Sequence, residues 1–128
     1  MSELLLLQDR VKNTIQLGES HFREFKSALQ GPPHNKKPRP VKDICKDITE
    51  ALVAFANADG GALLVGVEDD GLLSGLQHDE NEREQMLGAV KSHVHAESTL
   101  PILYAAQLTI DGKDLLFFSV DKGSTEIY

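Results

Sequence analysis

"ICKDITEALVAFANADGGALLVGVEDDGLLSGL", residues 44–76, reads as a helix, its stop, a buried strand and a turn in direct succession. Ile44, Ile48, Ala51, Leu52 and Phe55 recur at three- and four-residue spacing, which winds one apolar stripe along a helix over residues 41–57. Lys42, Lys46 and Glu50 fall between them and are left on the wet side. Asn57 and the Gly60–Gly61 pair then permit the left-handed conformations that a helix stop needs. "ALLVGV", residues 62–67, is a continuous apolar run of strand length, as expected of a strand covered on both faces. "EDDG" makes a turn, and "LLSGL" is expected to return as a short strand. A helix feeding a strand with two buried faces implies helices layered over a sheet, an α/β architecture.

The flanking segments extend that pattern. Upstream, residues 2–16 carry Leu5, Val11 and Ile15 at loose helical spacing, and Gly18 ends the element. Residues 20–28 alternate as a strand, with Phe22 and Phe25 at the bulky positions. "QGPPHNKKPRP", residues 30–40, holds four of the five prolines and is expected to be a long loop rather than a helix or central strand. Downstream, residues 79–94 read as a second core helix, starting near Asp79 or Glu80 and turning Met86, Leu87, Val90 and Val94 inward. Pro101 precedes the extended run "ILYAAQLTI", and "DG" at 111–112 turns it into "KDLLFFSV", a strong hairpin signal. After the N-terminal helix the expected order is strand, helix, strand, helix, strand, strand in a mixed sheet.

The totals narrow the function classes. A chain of 128 residues suits one domain with a real core, taken here as a single domain over 1–128. Its net charge of −7 argues against a surface coated in phosphate-binding groups, so any contact with nucleic acid has to come from a local cluster. Lys36, Lys37, Arg39, Lys42 and Lys46 supply one, in the proline-rich loop and the helix that follows. With 5% aromatic residues and no Trp there are few stacking platforms for single strands. Cys45 is the only cysteine, which excludes an internal disulfide and a cysteine-based zinc site and points to a reducing cytoplasm. Leu4 to Leu7 are too few for a signal segment or a membrane span. The closing "SVDKGSTEIY" stops without a polar tail, as expected of a piece of a longer protein.

Two stretches could carry chemistry. The glycines of "NADGGALLVGVEDDG" follow a helix and precede a strand, the reverse of a P-loop, so ATP binding there is not expected. Asp69 and Asp70 stand where the buried strand leaves the sheet, a position that suits either a ligand or an ordinary Asp-Asp-Gly turn. In "GESHFREFK", residues 18–26, Glu24 and Lys26 share one face of a strand. Glu-x-Lys on a strand suits a metal-dependent nuclease, the carboxylate holding Mg²⁺ and the lysine steadying the phosphate, but as a lone motif it is weak and a solvated strand face is its default reading. Glu19 lies five residues before Glu24 and reaches the same face only through a bend or bulge near Gly18. The five histidines make no metal-ligand spacing.

Three of these pieces together resemble the Schlafen AlbA-like domain, a module associated with DNA binding: "ESHFREFK", the long stretch from Ile44 to Leu76, and the hairpin "LTIDGKDLLFFSVDKGS". The resemblance covers most of residues 17–123. It implies an Alba-like α/β fold at the N-terminus of a longer regulator or helicase-related ATPase. Related animal domains cleave tRNA or rRNA with three acidic residues, which match Glu19, Glu24 and Asp69 here, with Lys26 at the motif lysine. The leading expectation is a nucleic-acid-binding regulatory module for DNA or RNA that needs no cofactor, built on Lys36, Lys37, Arg39, Lys42 and Lys46. One alternative is an endoribonuclease with Mg²⁺ or Mn²⁺ held by Glu19, Glu24 and Asp69. Another is a protein-interaction or homodimerisation domain serving a C-terminal partner domain.

Overall fold

The computed structural model describes residues 3–89 and 102–122. Along the chain lie α1 (Glu3–Leu17), β1 (Arg23–Lys26), β2 (Leu29–Gln30), β3 (Lys37–Pro38), α2 (Val41–Ala56), β4 (Gly61–Val65), α3 (Glu80–Leu87), β5 (Ile102–Ile110) and β6 (Lys113–Val120). The main sheet has the order β1-β4-β6-β5. β1 runs parallel to β4, while β4–β6 and β6–β5 are antiparallel, so the sheet is mixed as expected.

Both faces of the sheet are covered, which explains the unbroken apolar runs in β4 and β6. On one face Leu63, Val65, Leu116, Phe118 and Val120 pack against Ile44, Ile48, Leu52 and Phe55 of α2 and Met86 of α3. On the other, Phe25, Ala62, Leu64, Leu115 and Phe117 pack against Val11 of α1. Burying a side chain such as Leu52 or Ile48 contributes about 1.5–3 kcal/mol, so the α2 stripe is a major source of stability. Gly60 and Gly61 are needed where α2 meets β4. Gly60 has φ +84, and a Cβ there would stand 2.9 Å from the Val120 carbonyl, while one on Gly61 would strike the Phe55 ring.

Several details depart from the sequence-based expectations. Residues 30–40 are not simply a loop: Leu29–Gln30 and Lys37–Pro38 form a short antiparallel ribbon, which tolerates Pro38 because it has no further neighbour strand among the described residues. β4 stops at Val65 because Gly66 takes φ +105. That conformation switches the chain's facing, so Val65 packs on the α2 side and Val67 on the α1 side. "LLSGL" contributes only a bridge between Leu73 and Val67. Leu5, spaced with Val11 and Ile15 along the first helix, and Phe22, a bulky position of the first strand segment, are 52% and 51% exposed. α3 starts behind a complete Asp79–Glu82 capping box, as its acidic start suggested. Val90 and Val94 lie outside the described residues. No helix among the described residues is long and apolar enough to cross a membrane.

Candidate nucleic-acid interface

Among the described residues β1 is an edge strand with β4 as its only neighbour. The register sets Glu24 beside Leu63 and Lys26 beside Val65, which places both charged residues on the α2 side while Phe25 enters the α1-side core. Lys26 Nζ lies 3.3 Å from Glu24 Oε1, each side chain being 36% exposed. At that exposure the pair is worth little for stability and leaves both groups accessible.

Glu19 does bend round. The chain turns at His21 and Phe22 so that the Ser20 N–H donates to the Arg23 carbonyl at 2.9 Å. Glu19 Oε1 then accepts from the Phe25 N–H at 3.0 Å. Its carboxylate is therefore engaged with an outward-facing backbone group of β1, between Glu24 and Lys26 in sequence. Asp69 lies exposed in the turn after β4. The Gly71 N–H donates to the Glu68 carbonyl at 2.9 Å and the Leu72 N–H to Asp70 Oδ1 at 2.9 Å. Asp69 itself is exposed and has no hydrogen bond or ion pair among the described residues. The acid that faces inward at this turn is Glu68, which accepts from Ser74 Oγ at 2.6 Å. Among the described residues no three His, Cys, Asp or Glu side chains gather into a group able to hold a metal ion. As placed, Glu19, Glu24 and Asp69 do not fit a shared metal, and no chemical step follows through one.

The basic set divides into two roles. Lys36 and Lys37 are exposed on the ribbon, and Lys42 is exposed on the first turn of α2. None of the three has an ion pair among the described residues. Lys46 lies 3.9 Å from Glu50 one helical turn away, a wet pair. Arg39 is instead an anchor. Its Nη1 donates to the Ser27 carbonyl at 2.9 Å and its Nη2 to Asp47 Oδ2 at 2.7 Å. Its own N–H donates to the Ala28 carbonyl at 2.9 Å. These bonds tie the ribbon to the end of β1 on one side and to α2 on the other.

His78 completes the anchor. It is 3% exposed, and its Nε2 lies 2.7 Å from the Arg39 carbonyl. A carbonyl only accepts, so Nε2 carries a proton. Among the described residues its buried Nδ1 has no partner. The His78 carbonyl in turn accepts from Arg83 Nε at 2.7 Å, and Arg83 Nη1 reaches Asp114 Oδ2 at 2.7 Å. The ribbon is thus braced through α3 to β6. Nothing in the spacing of His78 marks this role; its one signal is a position immediately before the helix cap Asp79. Asp114 is held below the usual carboxylate range by the Thr109 hydroxyl, and by Arg83 after it. Burial pushes the Cys45 thiol up, which keeps it an inert core group rather than a nucleophile.

A search of curated protein sequences finds no match to this chain. Solved structures show the same fold. The DIP2311 protein of Corynebacterium diphtheriae aligns with TM-score 0.63 and 19% identity over 94% of this chain. This chain spans only 25% of that protein's length. The N-terminal domain of a protein related to the ATP-dependent DNA helicase RecG, from Nitrosomonas europaea, aligns with TM-score 0.60 and 24% identity, covering 100% of this chain and 80% of that one. The profile of the Schlafen, AlbA_2 family matches residues 19–128, a span that includes the β1 edge, the basic ribbon and the Asp69 turn. The chain belongs to the Schlafen AlbA_2 family.

Proposed function

We propose that this chain is a nucleic-acid-contacting module of a longer protein and that it holds the phosphate backbone through Lys36, Lys37 and Lys42. The observation that carries this reading is the braced ribbon. Five of the six charged residues between 31 and 46 are basic in a chain of net charge −7. Arg39 and His78 hold the segment bearing them against β1, α2 and α3. Lysines on an anchored ribbon lose less freedom on binding than lysines on a loose loop. Family membership and the fold shared with the N-terminal domain of a RecG-related protein support the same reading. Binding of this kind reads backbone charge rather than bases and requires no cofactor.

Three phosphate contacts give a logarithmic salt slope of about −3 on duplex DNA. The test is anisotropy of labelled DNA duplex and RNA hairpin probes across a salt series. The expected result is binding at low salt that weakens with that slope and disappears when Lys36, Lys37 and Lys42 are all changed to Glu. No binding at low salt, or equal binding by the triple variant, overturns the proposal. A Mn²⁺ incubation with structured RNA adds a control: wild type and Glu24→Gln should leave it equally intact. Cutting that Glu24→Gln abolishes would instead favour the ribonuclease reading.

A further inference from the structure

Among the described residues β5 has β6 on one side and no strand on the other. Gln8 Nε2 donates to the Thr109 carbonyl at 2.9 Å, which shows that the backbone groups of Thr109 point away from β6. Residues alternate along an antiparallel strand, so those of Ala105 and Gln107 point outward as well. Over Ile102–Ile110 the sequence "ILYAAQLTI" contains no charged residue, no Pro and no Gly. Edge strands are ordinarily guarded by one of these against pairing with another chain. The β1 edge has such a guard, since Glu19 occupies the Phe25 N–H and the turn at Ser20 folds over the strand.

We propose that the outer edge of β5 pairs antiparallel with the same edge of a second copy of this chain, about a two-fold axis at Gln107. The outward row Ala105, Gln107, Thr109 is symmetric about its centre. Gln107 meets its own copy, and Ala105 meets Thr109 of the partner subunit, each pair exchanging two backbone hydrogen bonds. The Thr109 carbonyl keeps a second lone pair beside its bond from Gln8. No like charges are opposed, because the strand has none, and the amides of the two Gln107 side chains can bond to each other. Leu5 lies three residues before Gln8 on the same helical face and is 52% exposed. A two-fold pairing consumes the open edge on both copies, and the capped β1 edges offer no continuation. The assembly therefore closes as a dimer instead of growing into a filament.

Sedimentation equilibrium across a concentration series tests this. The wild-type chain should rise from 14.1 kDa toward twice that mass. Gln107→Lys and Gln107→Glu should each stay monomeric, since each opposes like charges at the axis, and their equimolar mixture should regain the doubled mass. Amide exchange by NMR reads the same contact without substitution, the Gln107 N–H exchanging more slowly as concentration rises. A wild-type mass that stays at 14.1 kDa overturns the proposal, as does a mixture that stays monomeric or a Gln107 exchange rate that ignores concentration.

Discussion

The β1 edge places Glu19, Glu24 and Lys26 around a strand of four residues, whereas the β5 edge runs nine residues with no charged side chain. Both are outer strands of one sheet and both leave backbone groups unpaired by the sheet. At β1 the chain closes its own edge: the turn at His21–Phe22 returns Glu19 to the Phe25 N–H. At β5 the described residues place a single side chain, Gln8, on the outer row. Charge and capping keep the first edge wet and available to a polar ligand. The second edge is shaped for another strand.

Substitutions at three positions would break or sharpen this contrast. The largest effect is expected at Gly66, which joins the β1 edge to the centre of the sheet. Its N–H donates to the Lys26 carbonyl at 2.9 Å, and its own carbonyl accepts from the Ser74 and Gly75 N–H groups. Its φ is +105, and a Cβ would come within 3.3 Å of the Asp114 carbonyl. Gly66→Ala should lower stability by about 2 kcal/mol or more in urea unfolding. A change within experimental error would show that the strand end relaxes and that the β1 edge is not held there.

A smaller effect is expected at Asp114, which joins the β5 edge to α3. Thr109 Oγ1 donates to Asp114 Oδ1 at 2.5 Å, and Arg83 holds the other oxygen. The folded carboxyl titrates below its unfolded value, so it adds stability above the unfolded value, about pH 4, and loses it as pH falls through the folded one. Asp114→Asn should cost about 1 kcal/mol at neutral pH, given the partial exposure of the group. The gap from wild type should close at strongly acid pH. A gap independent of pH would remove the carboxylate from the account of this edge.

The smallest effect is expected at Glu19. Glu19→Ala exposes the Phe25 N–H to water and should cost about 0.5–1 kcal/mol, with Glu19→Gln keeping most of that because its amide oxygen still accepts. If the carboxylate also guards the edge, the Ala variant should self-associate more readily than the Gln variant in light scattering. Equal behaviour of the two would leave the guarding to the Ser20 turn alone.

The elements set by local periodicity and turn chemistry were legible in the sequence. The α2 stripe, the double glycine behind it and the Asp111–Gly112 hairpin form as read, and the apolar β4 run does so as far as Val65. Asp111 at φ +50 and Gly112 at φ +77 are the two left-handed residues that such a tight turn requires. The ribbon at 29–38 was hidden, because two-residue strands have no period to detect. Glu24 and Lys26 could be placed on one face by counting, but nothing near Glu19 disclosed that its partner would be a backbone N–H six residues on. Arg39 looked like one more phosphate-binding cation in a basic run. It proved to be the brace of that run because Ser27 and Asp47 converge on it from different elements.

By itself, then, the sequence determined the layered α/β plan, the family and the basic character of one segment, since all three follow from residue type and spacing along the chain. The tertiary structure alone decided which cations are structural and which are available, where Glu19 and His78 find their partners, and which sheet edge the described residues leave unpaired. Each of those depends on backbone carbonyls and N–H groups brought together from distant parts of the chain. Such groups are alike at every residue, so only their positions in space tell one from another.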